Sequence, residues 1–267
     1  MSTAPPEADL TGWTLEPFTA GGYTHDVYYR GSGPGVVLIP EMPGVHTGVL
    51  ALGNYLVDNG FTVAIPSLFG TPGMSARSPA LVSNLVRGCV AKEFAAFALN
   101  RERPVANYLR ALARDLNAKT PGKGVGVIGQ CFTGGFALAA AVDDSVLASV
   151  LSQPSVPIAL TPAAKRDPGF SEGEMKVIER RAAEDNLCAL GLRFSKDPMA
   201  PAERFATLKD RLGDNFEVIE LDSGPGNAGG FGRMAHSVLT LEVRESEGQQ
   251  AYLARKRVVE FLKERLG

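Results

Sequence analysis

The chain has 267 residues, of which 45% are hydrophobic and 21% are charged, and its formal net charge is −2. This length and hydrophobic content fit one large α/β domain or two small ones, and the small net charge without a long basic run argues against nucleic-acid or anionic-membrane binding. The three cysteines have no paired spacing, which argues against a disulfide framework and a zinc ribbon.

The amino-terminal residues 1–10 contain no basic region followed by an apolar stretch, so no signal peptide is expected. No apolar run reaches the length of a membrane span. We therefore expect a cytoplasmic protein with reduced thiols that binds neither membranes nor nucleic acids. The oligomeric state does not follow from the sequence.

Short apolar runs alternate with longer amphipathic segments, which predicts an α/β fold with a mostly parallel sheet and helices on both faces. Strands are predicted near residues 27–29, 35–40, 61–66, 124–129, 147–152, 187–194 and 216–221. Helices are predicted near residues 49–59, 79–99, 104–118, 135–142, 171–183, 201–212 and 249–266. No Ser/Pro-rich linker divides the chain, so residues 1–267 are expected to form a single domain, with residues about 72–120 as a candidate helical cap.

The first predicted βα loop carries an acidic residue. Glu41 directly follows the predicted strand 35–40, and a carboxylate at the end of a parallel strand projects toward the crevice where ligands bind. The backbone N–H of Met42 is a candidate donor to an oxyanion. An exposed loop carboxylate is the alternative interpretation of Glu41.

The segment 124–135 is the most informative stretch of the chain. An apolar strand ends there, Cys131 occupies the turn, and Gly134 and Gly135 open a helical run. A sharp strand-to-helix turn that carries a nucleophile is typical of a nucleophile elbow, and the N–H of Phe132 is a second candidate oxyanion donor. A small buried hydrophobe is the alternative for Cys131. That structural role is the one favoured for Cys89 and Cys188.

A cysteine nucleophile needs a base and an acid that orients the base. In α/β-hydrolases these follow in the order nucleophile, acid, histidine. Among the three histidines, His236 alone follows Cys131. Asp197 comes directly after the predicted strand 187–194 and is the leading acid, and Asp222 is the competing one. The histidines expected to be structural or exposed are His25 and His46.

Several of these segments resemble the dienelactone hydrolase family of α/β-hydrolases over about residues 35–265. The segments are 41–45 (EMPGV), 66–70 (PSLFG), 129–135 (GQCFTGG), 191–197 (GLRFSKD) and 235–237 (AHS). The resemblance implies an α/β-hydrolase fold with Cys131 as nucleophile, His236 as base and Asp197 as acid. It also implies that Glu41 contacts the resting thiol and moves when substrate binds. It implies no metal and no organic cofactor.

The same resemblance bears on the substrate. The family's well-known enzymes hold a substrate carboxylate with two arginines, and the matching positions here are Thr71 and Thr240. A third departure is Thr133, which stands two residues after Cys131, where such elbows often have glycine. Cations that could replace the missing clamps are Arg77, Arg87 and Arg233.

We therefore expect a cysteine-dependent hydrolase of a small-molecule ester or lactone. Two alternatives stay open from the sequence. A misaligned thiol would make the chain a non-catalytic binding or regulatory protein with a hydrolase fold. An acyltransferase would use another nucleophile in place of water.

Overall fold

The computed structural model describes residues 4–75 and 104–267, and within them the central feature is an eight-stranded sheet. Alternating and continuous apolar runs supply its strands. The strands are β1 (Thr14–Ala20), β2 (Tyr23–Gly31), β3 (Gly35–Leu38), β4 (Thr62–Pro66), β5 (Val125–Gln130), β6 (Val146–Ser152), β7 (Cys188–Phe194) and β8 (Phe216–Leu221).

The strand order in the sheet is β1-β2-β4-β3-β5-β6-β7-β8. The pairs β1–β2 and β2–β4 are antiparallel, and all later pairs are parallel. The predicted α/β-hydrolase fold with a mostly parallel sheet is therefore confirmed. Because parallel strands end at one edge, the loops after β3, β5, β6, β7 and β8 all leave the sheet on the same side.

Seven α-helices occur in the described part of the chain. They are α1 (Thr47–Asp58), α2 (Pro104–Lys119), α3 (Gly134–Ala140), α4 (Pro162–Arg166), α5 (Glu172–Glu184), α6 (Ala202–Leu212) and α7 (Gln250–Leu266). No helix within residues 4–75 and 104–267 is long and apolar enough to cross a membrane.

The sheet is covered on both faces, as the apolar strands predict. On one face, α2, α3, α5 and α6 pack against strand residues such as Val37 and Val127. On the other face, α1 and α7 pack against the alternate residues, such as Val36 and Leu38. The two-residue period of a strand explains this division, because successive side chains point to opposite faces.

Only part of the predicted helical cap lies within the described residues. Residues 104–119 form α2, whose Leu109 and Leu112 belong to the core on the sheet face that also contains Val37. This part of the candidate cap therefore packs on the sheet, because its apolar stripe is buried there. The rest of the predicted cap, including the predicted helix 79–99, lies mostly outside the described residues.

Candidate active site

The site lies at the sheet edge where the parallel strands end. Strand pairing fixes the relative height of the loops, since Gln130 at the end of β5 is opposite Ser152 at the end of β6. On the far side, Phe194 at the end of β7 is opposite Leu221 at the end of β8. Side chains that follow these four positions are thus brought to one edge from distant parts of the sequence.

Cys131 occupies a sharp turn between β5 and α3. Its φ of +51° lies in the left-handed region, which a residue with a side chain rarely adopts. A Cβ atom at Gly129 would lie 2.3 Å from the Thr133 carbonyl oxygen, and one at Gly134 would lie 2.6 Å from the Pro154 Cα. Backbone thus passes so close on both sides that only glycine fits, and the turn has the form of a nucleophile elbow.

Thr133 closes this turn. Its buried Oγ1 accepts a hydrogen bond from the Gln130 N–H at 3.1 Å and lies 2.9 Å from the Gln130 carbonyl oxygen. The same hydroxyl lies 3.2 Å from the carbonyl oxygen of Pro40, just before the loop that carries Glu41. The threonine that departs from the family pattern therefore ties the elbow to the loop after β3.

Sequence reasoning missed a polar contact of the thiol. Ser155 Oγ lies 3.6 Å from Cys131 Sγ, and the Ser155 N–H donates to the Cys131 carbonyl oxygen at 3.0 Å. Ser155 follows β6 by three residues, and β6 is the neighbour of β5 in the sheet. Its position after a parallel strand was a signal that could have identified it.

The loop that carries Ser155 is held by a buried arginine. Arg204 on α6 has no exposed surface, and its guanidinium donates to the carbonyl oxygens of Pro154 at 2.7 Å and Asp167 at 2.8 Å. It also donates to Ala164 O at 3.1 Å. Because Arg204 binds backbone on both sides of the loop, it fixes the path of the chain on which Ser155 reaches the thiol.

We predict that Ser155→Ala slows the alkylation of Cys131 by iodoacetamide about tenfold at neutral pH. The thiolate loses a hydroxyl partner, and a hydrogen bond to a charged group contributes roughly 1.5–3 kcal/mol. Mass spectrometry of the Cys131 peptide measures this rate separately from the other cysteines. The control is Ser145→Ala, which removes a hydroxyl just before β6, at the opposite end of that strand. Equal rates in both variants would show that Ser155 does not act on the thiol.

His236 and Asp197 are brought together although 39 residues separate them. His236 Nδ1 lies 2.6 Å from Asp197 Oδ2, and the other oxygen of that carboxylate accepts the Met199 N–H at 2.9 Å. Asp197 is only 3% exposed. The carboxylate is therefore fixed on one side by backbone and orients the imidazole on the other, which leaves Nε2 for chemistry.

The imidazole is electrostatically coupled to both of its predicted partners. Its Nε2 atom is buried and makes no hydrogen bond of standard geometry among the described residues. Burial disfavours the charged form, but the hydrogen bond to Asp197 and the interaction with Cys131 outweigh it and raise the pKa of His236 to about 10. Such an imidazolium stabilises a thiolate beside it.

The competing acid, Asp222, is placed differently. It is exposed, and its Oδ1 accepts the Gly224 N–H at 2.8 Å, which stabilises the turn after β8. None of its contacts in the described residues involves His236.

The two other histidines have structural positions. His25 stacks on Tyr23 in β2, and buried His46 caps α1 by accepting the Gly48 N–H at 3.1 Å.

The two candidate oxyanion donors follow paired strand positions at the same offset. Leu38 in β3 is opposite Ile128 in β5. Met42 and Phe132 each come four residues after these partners. Because β3 and β5 are parallel neighbours, the loop after β3 and the elbow leave the sheet at the same end, and the two N–H groups stay candidates for an oxyanion site.

In the described residues, the hydrogen bonds of Glu41 are made with groups other than the thiol. Its buried carboxylate accepts hydrogen bonds from Ser237 Oγ at 2.9 Å, Gln153 Nε2 at 3.3 Å and Thr240 Oγ1. The His46 Nε2 atom lies 3.4 Å from Glu41 Oε1. No recorded hydrogen bond to Glu41 in the described residues comes from Cys131, because these four groups occupy the carboxylate. The predicted thiol contact is therefore not a feature of this state.

The positions considered for substrate binding are scattered. Thr240 is buried in the contact with Glu41, whereas Thr71 and Arg233 are exposed. Arg77, Arg87 and Cys89 lie outside the described residues.

Cys188 is buried at the start of β7, as expected for a structural cysteine. No group of three or more His, Cys, Asp or Glu side chains in residues 4–75 and 104–267 is arranged to hold a metal ion.

The chain also resembles known proteins. The family model described as "Dienelactone hydrolase family" matches residues 24–266. A search of the curated proteins gives no match.

Solved structures with similar folds include a proposed dienelactone hydrolase from Klebsiella pneumoniae, with a TM-score of 0.63, 17% identity, and coverage of 94% of this chain and 98% of the other. A dienelactone hydrolase-like promiscuous phosphotriesterase from metagenomic libraries has a TM-score of 0.64, 18% identity, and coverage of 96% and 98%. An esterase from Pyrococcus furiosus has a TM-score of 0.58, 14% identity, and coverage of 99% and 100%. At these identities the likeness shows the fold alone.

Proposed function

The chain belongs to the dienelactone hydrolase family, and from this premise we propose that it is a cysteine-dependent hydrolase of a small-molecule ester or lactone. The observation that supports this best is the hydrogen bond between His236 and Asp197, together with the interaction of His236 with Cys131. Cys131 lies on the elbow after β5, and His236 Nδ1 lies 2.6 Å from Asp197 Oδ2 after β7. The pKa of His236 is raised through interactions with both of the others.

The proposed mechanism uses this chain's residues alone. His236 takes the proton of the Cys131 thiol, and the thiolate attacks the ester carbonyl carbon. The N–H groups of Phe132 and Met42 stabilise the negative charge that develops on the carbonyl oxygen. The imidazolium returns its proton to the leaving alkoxide, which departs as the alcohol and leaves a thioester on Cys131. Water then gives a proton to His236 and attacks the thioester, and the acid is released as the thiol regains its proton.

Asp197 has two tasks in this scheme. Its carboxylate accepts a hydrogen bond from the Nδ1–H of His236, which keeps the proton on Nδ1 and leaves Nε2 able to accept one. Its negative charge also stabilises the imidazolium that forms in each half of the reaction. Ser155, 3.6 Å from Sγ, is placed to donate a hydrogen bond to the thiolate before it attacks.

The proposal is tested with a panel of p-nitrophenyl esters and lactones, each assayed with the wild-type protein and with Cys131→Ala. Turnover by the wild type that is lost in the variant supports the hydrolase. Labelling of Cys131 without turnover of any ester would favour a binding protein. Faster product formation on addition of an alcohol or amine acceptor, with the acyl group found on the acceptor, would favour an acyltransferase.

We predict that the site prefers neutral esters and lactones to carboxylated ones. An arginine that holds a carboxylate contributes roughly 1.5–3 kcal/mol per charge-assisted hydrogen bond, and threonine occupies both matching positions, Thr71 and Thr240. Thr240 is moreover engaged with Glu41, whose negative charge would repel a carboxylate.

The measurement compares kcat/KM for a carboxylated dienelactone with that for its neutral methyl ester, and the ester is expected to react at least as fast. A strong preference for the free acid would contradict the prediction. In that case Arg233→Gln would test whether the exposed cation three residues before His236 binds the carboxylate.

A further inference from the structure

We infer that Glu41 is a positioning residue for His236, because its carboxylate fixes the segment 237–240 to the loop after β3. This inference rests on the proposed function, since it assigns a role to His236 as the base. It differs from the role that the family resemblance implies, in which the glutamate contacts the resting thiol.

The contacts of Glu41 converge on the residues that follow His236. Ser237, the next residue, donates its hydroxyl to Glu41 Oε2 at 2.9 Å, and Thr240 donates its hydroxyl to Oε1. The Glu41 side chain is 2% exposed and Thr240 is 1% exposed, so water does not compete for these hydrogen bonds. One carboxylate thus holds both hydroxyls of a single turn.

A second side chain connects the same elements. Gln153, which follows β6, donates from Nε2 to Glu41 Oε2 at 3.3 Å and accepts the Val238 N–H at its Oε1, also at 3.3 Å. The Gln153 N–H in turn donates to the carbonyl oxygen of Leu192 in β7 at 2.7 Å. The His236 segment is therefore attached through Glu41 and Gln153 to the ends of three strands.

The charge of Glu41 is maintained in this buried position. Burial alone would raise its pKa, but the hydrogen bond and electrostatic attraction of His46, with the hydroxyls of Thr240 and Ser237, hold the pKa of Glu41 below its usual value. His46 Nδ1 accepts the Gly48 N–H at 3.1 Å, and His46 Nε2 lies 3.4 Å from Glu41 Oε1. The carboxylate is thus ionised at neutral pH and remains an acceptor for both hydroxyls.

This arrangement bears on the imidazole because His236 has a single fixed hydrogen bond of its own in the described residues, to Asp197. The position of its backbone depends on the neighbouring turn, in which the Glu242 N–H donates to the Ser237 carbonyl oxygen at 3.1 Å. Losing the Glu41 contacts would free that turn, move the imidazolium away from the thiolate and weaken their charge interaction.

The two roles for Glu41 predict opposite effects on the thiol. If Glu41 contacted the thiol, its negative charge would disfavour the thiolate, and Glu41→Gln would speed the alkylation of Cys131 at neutral pH. If Glu41 positions His236, the substitution weakens the imidazolium–thiolate pair and slows alkylation. The titratable groups that also affect the alkylation rate are His46, which is beside Glu41, and Asp197 and Cys131, which interact with His236.

The experiment measures the rate of Cys131 alkylation by iodoacetamide from pH 5 to 10 in purified full-length variants, with folding checked by circular dichroism. Glu41→Gln and Ser237→Ala are each expected to lower the neutral-pH rate about tenfold, as for a lost hydrogen bond to a charged group. A second pair separates the hydroxyl from packing. Thr240→Val should slow alkylation, and Thr240→Ser, which keeps the hydroxyl, should restore it. The control Glu242→Gln lies in the same segment and pairs with Arg244 instead.

The outcomes are distinct. Slower alkylation in Glu41→Gln, Ser237→Ala and Thr240→Val, with rescue in Thr240→Ser, supports the inference. Faster or unchanged alkylation in those three variants overturns it, and if Glu41→Gln does not fold, the Thr240 pair decides alone. Failure of the proposed function would show differently, as ester turnover by the wild type that persists in Cys131→Ala.

Discussion

Replacing Cys131 by alanine is expected to abolish ester and lactone turnover without unfolding the protein. The substitution removes the nucleophile, and loss of such a group costs several orders of magnitude in kcat. The fold should tolerate it because the thiol is only partly buried, and its hydroxyl partner, Ser155 Oγ, lies as far as 3.6 Å away. The φ of +51° stays as unfavourable for alanine as for cysteine. The measurements are kcat/KM on the best ester and the thermal unfolding midpoint.

The matched control is Cys188→Ala. Cys188 is buried at the start of β7, where burial raises the pKa of its thiol, and its Sγ lies 3.5 Å from Asn215 Oδ1. The control should lose some stability and keep its turnover, because this end of the strand is opposite the site. The remaining variant, Cys89→Ala, is also expected to stay active. Wild-type turnover by Cys131→Ala would contradict the proposed mechanism.

Most of the sheet could be predicted because its inner strands are covered on both faces. A strand in that position is mostly apolar, as in Gly35–Leu38 and Cys188–Phe194, where every residue is buried and Arg193 is the one charged side chain. The predicted runs 35–40 and 187–194 contain these strands. The helices that flank the sheet followed from the same logic, since an amphipathic segment must cover each face.

The missed strand, β1, differs in its surroundings. It lies at the edge of the sheet, five of its seven residues are exposed, and Pro17 interrupts its pattern. Edge strands need no apolar run, so composition does not reveal them. A turn signal was present, however. Gly21 and Gly22 have φ values of +58° and +81° and join β1 to β2, and a Gly-Gly pair between strands is typical of a hairpin.

The candidate site also has a part that the sequence predicts and a part that it does not. Residues that follow apolar strands, such as Cys131 and Asp197, could be located from the sequence because parallel strands bring their ends together. Which side chains then touch depends on distances across several loops. Ser155 near the thiol and Gln153 between Glu41 and Val238 are contacts of this kind. The position of Ser155 after a parallel strand indicates the end of the sheet at which it lies, but no local pattern encodes which side chain it contacts.

The partners of Glu41 could not be predicted from its loop. The loop sequence around it resembles the family, yet its partners are set by Ser237 and Thr240, which are 196 and 199 residues away in the chain. A hydroxyl at each position donates a hydrogen bond to this buried carboxylate, in addition to the contacts of Gln153 and His46. The environment of a carboxylate decides its role more than the residues beside it in sequence.

Asp197→Asn is expected to reduce kcat/KM on the order of a thousandfold or more, whereas Asp222→Asn should stay close to the wild type. An asparagine at 197 keeps the shape, but it removes the charge that stabilises the imidazolium and favours the wrong tautomer of His236. Asp197 follows β7 and Asp222 follows β8, at the same end of the parallel strands. The contact that distinguishes them is with His236, whose Nδ1 lies 2.6 Å from Asp197 Oδ2.

The thiol provides an independent readout of the same change. Because the hydrogen bond that Asp197 accepts from His236 Nδ1 contributes to raising the pKa of His236, its loss lowers that pKa. The imidazolium then gives up its proton at lower pH, so less thiolate is paired with it near neutral pH and Cys131 alkylation slows. Asp222→Asn should leave the alkylation profile unchanged, since Asp222 contacts the Gly224 N–H in an exposed turn. Equal losses in both variants, or a larger loss in Asp222→Asn, would transfer the orienting role to Asp222 and would require a different conformation of the loop that carries His236.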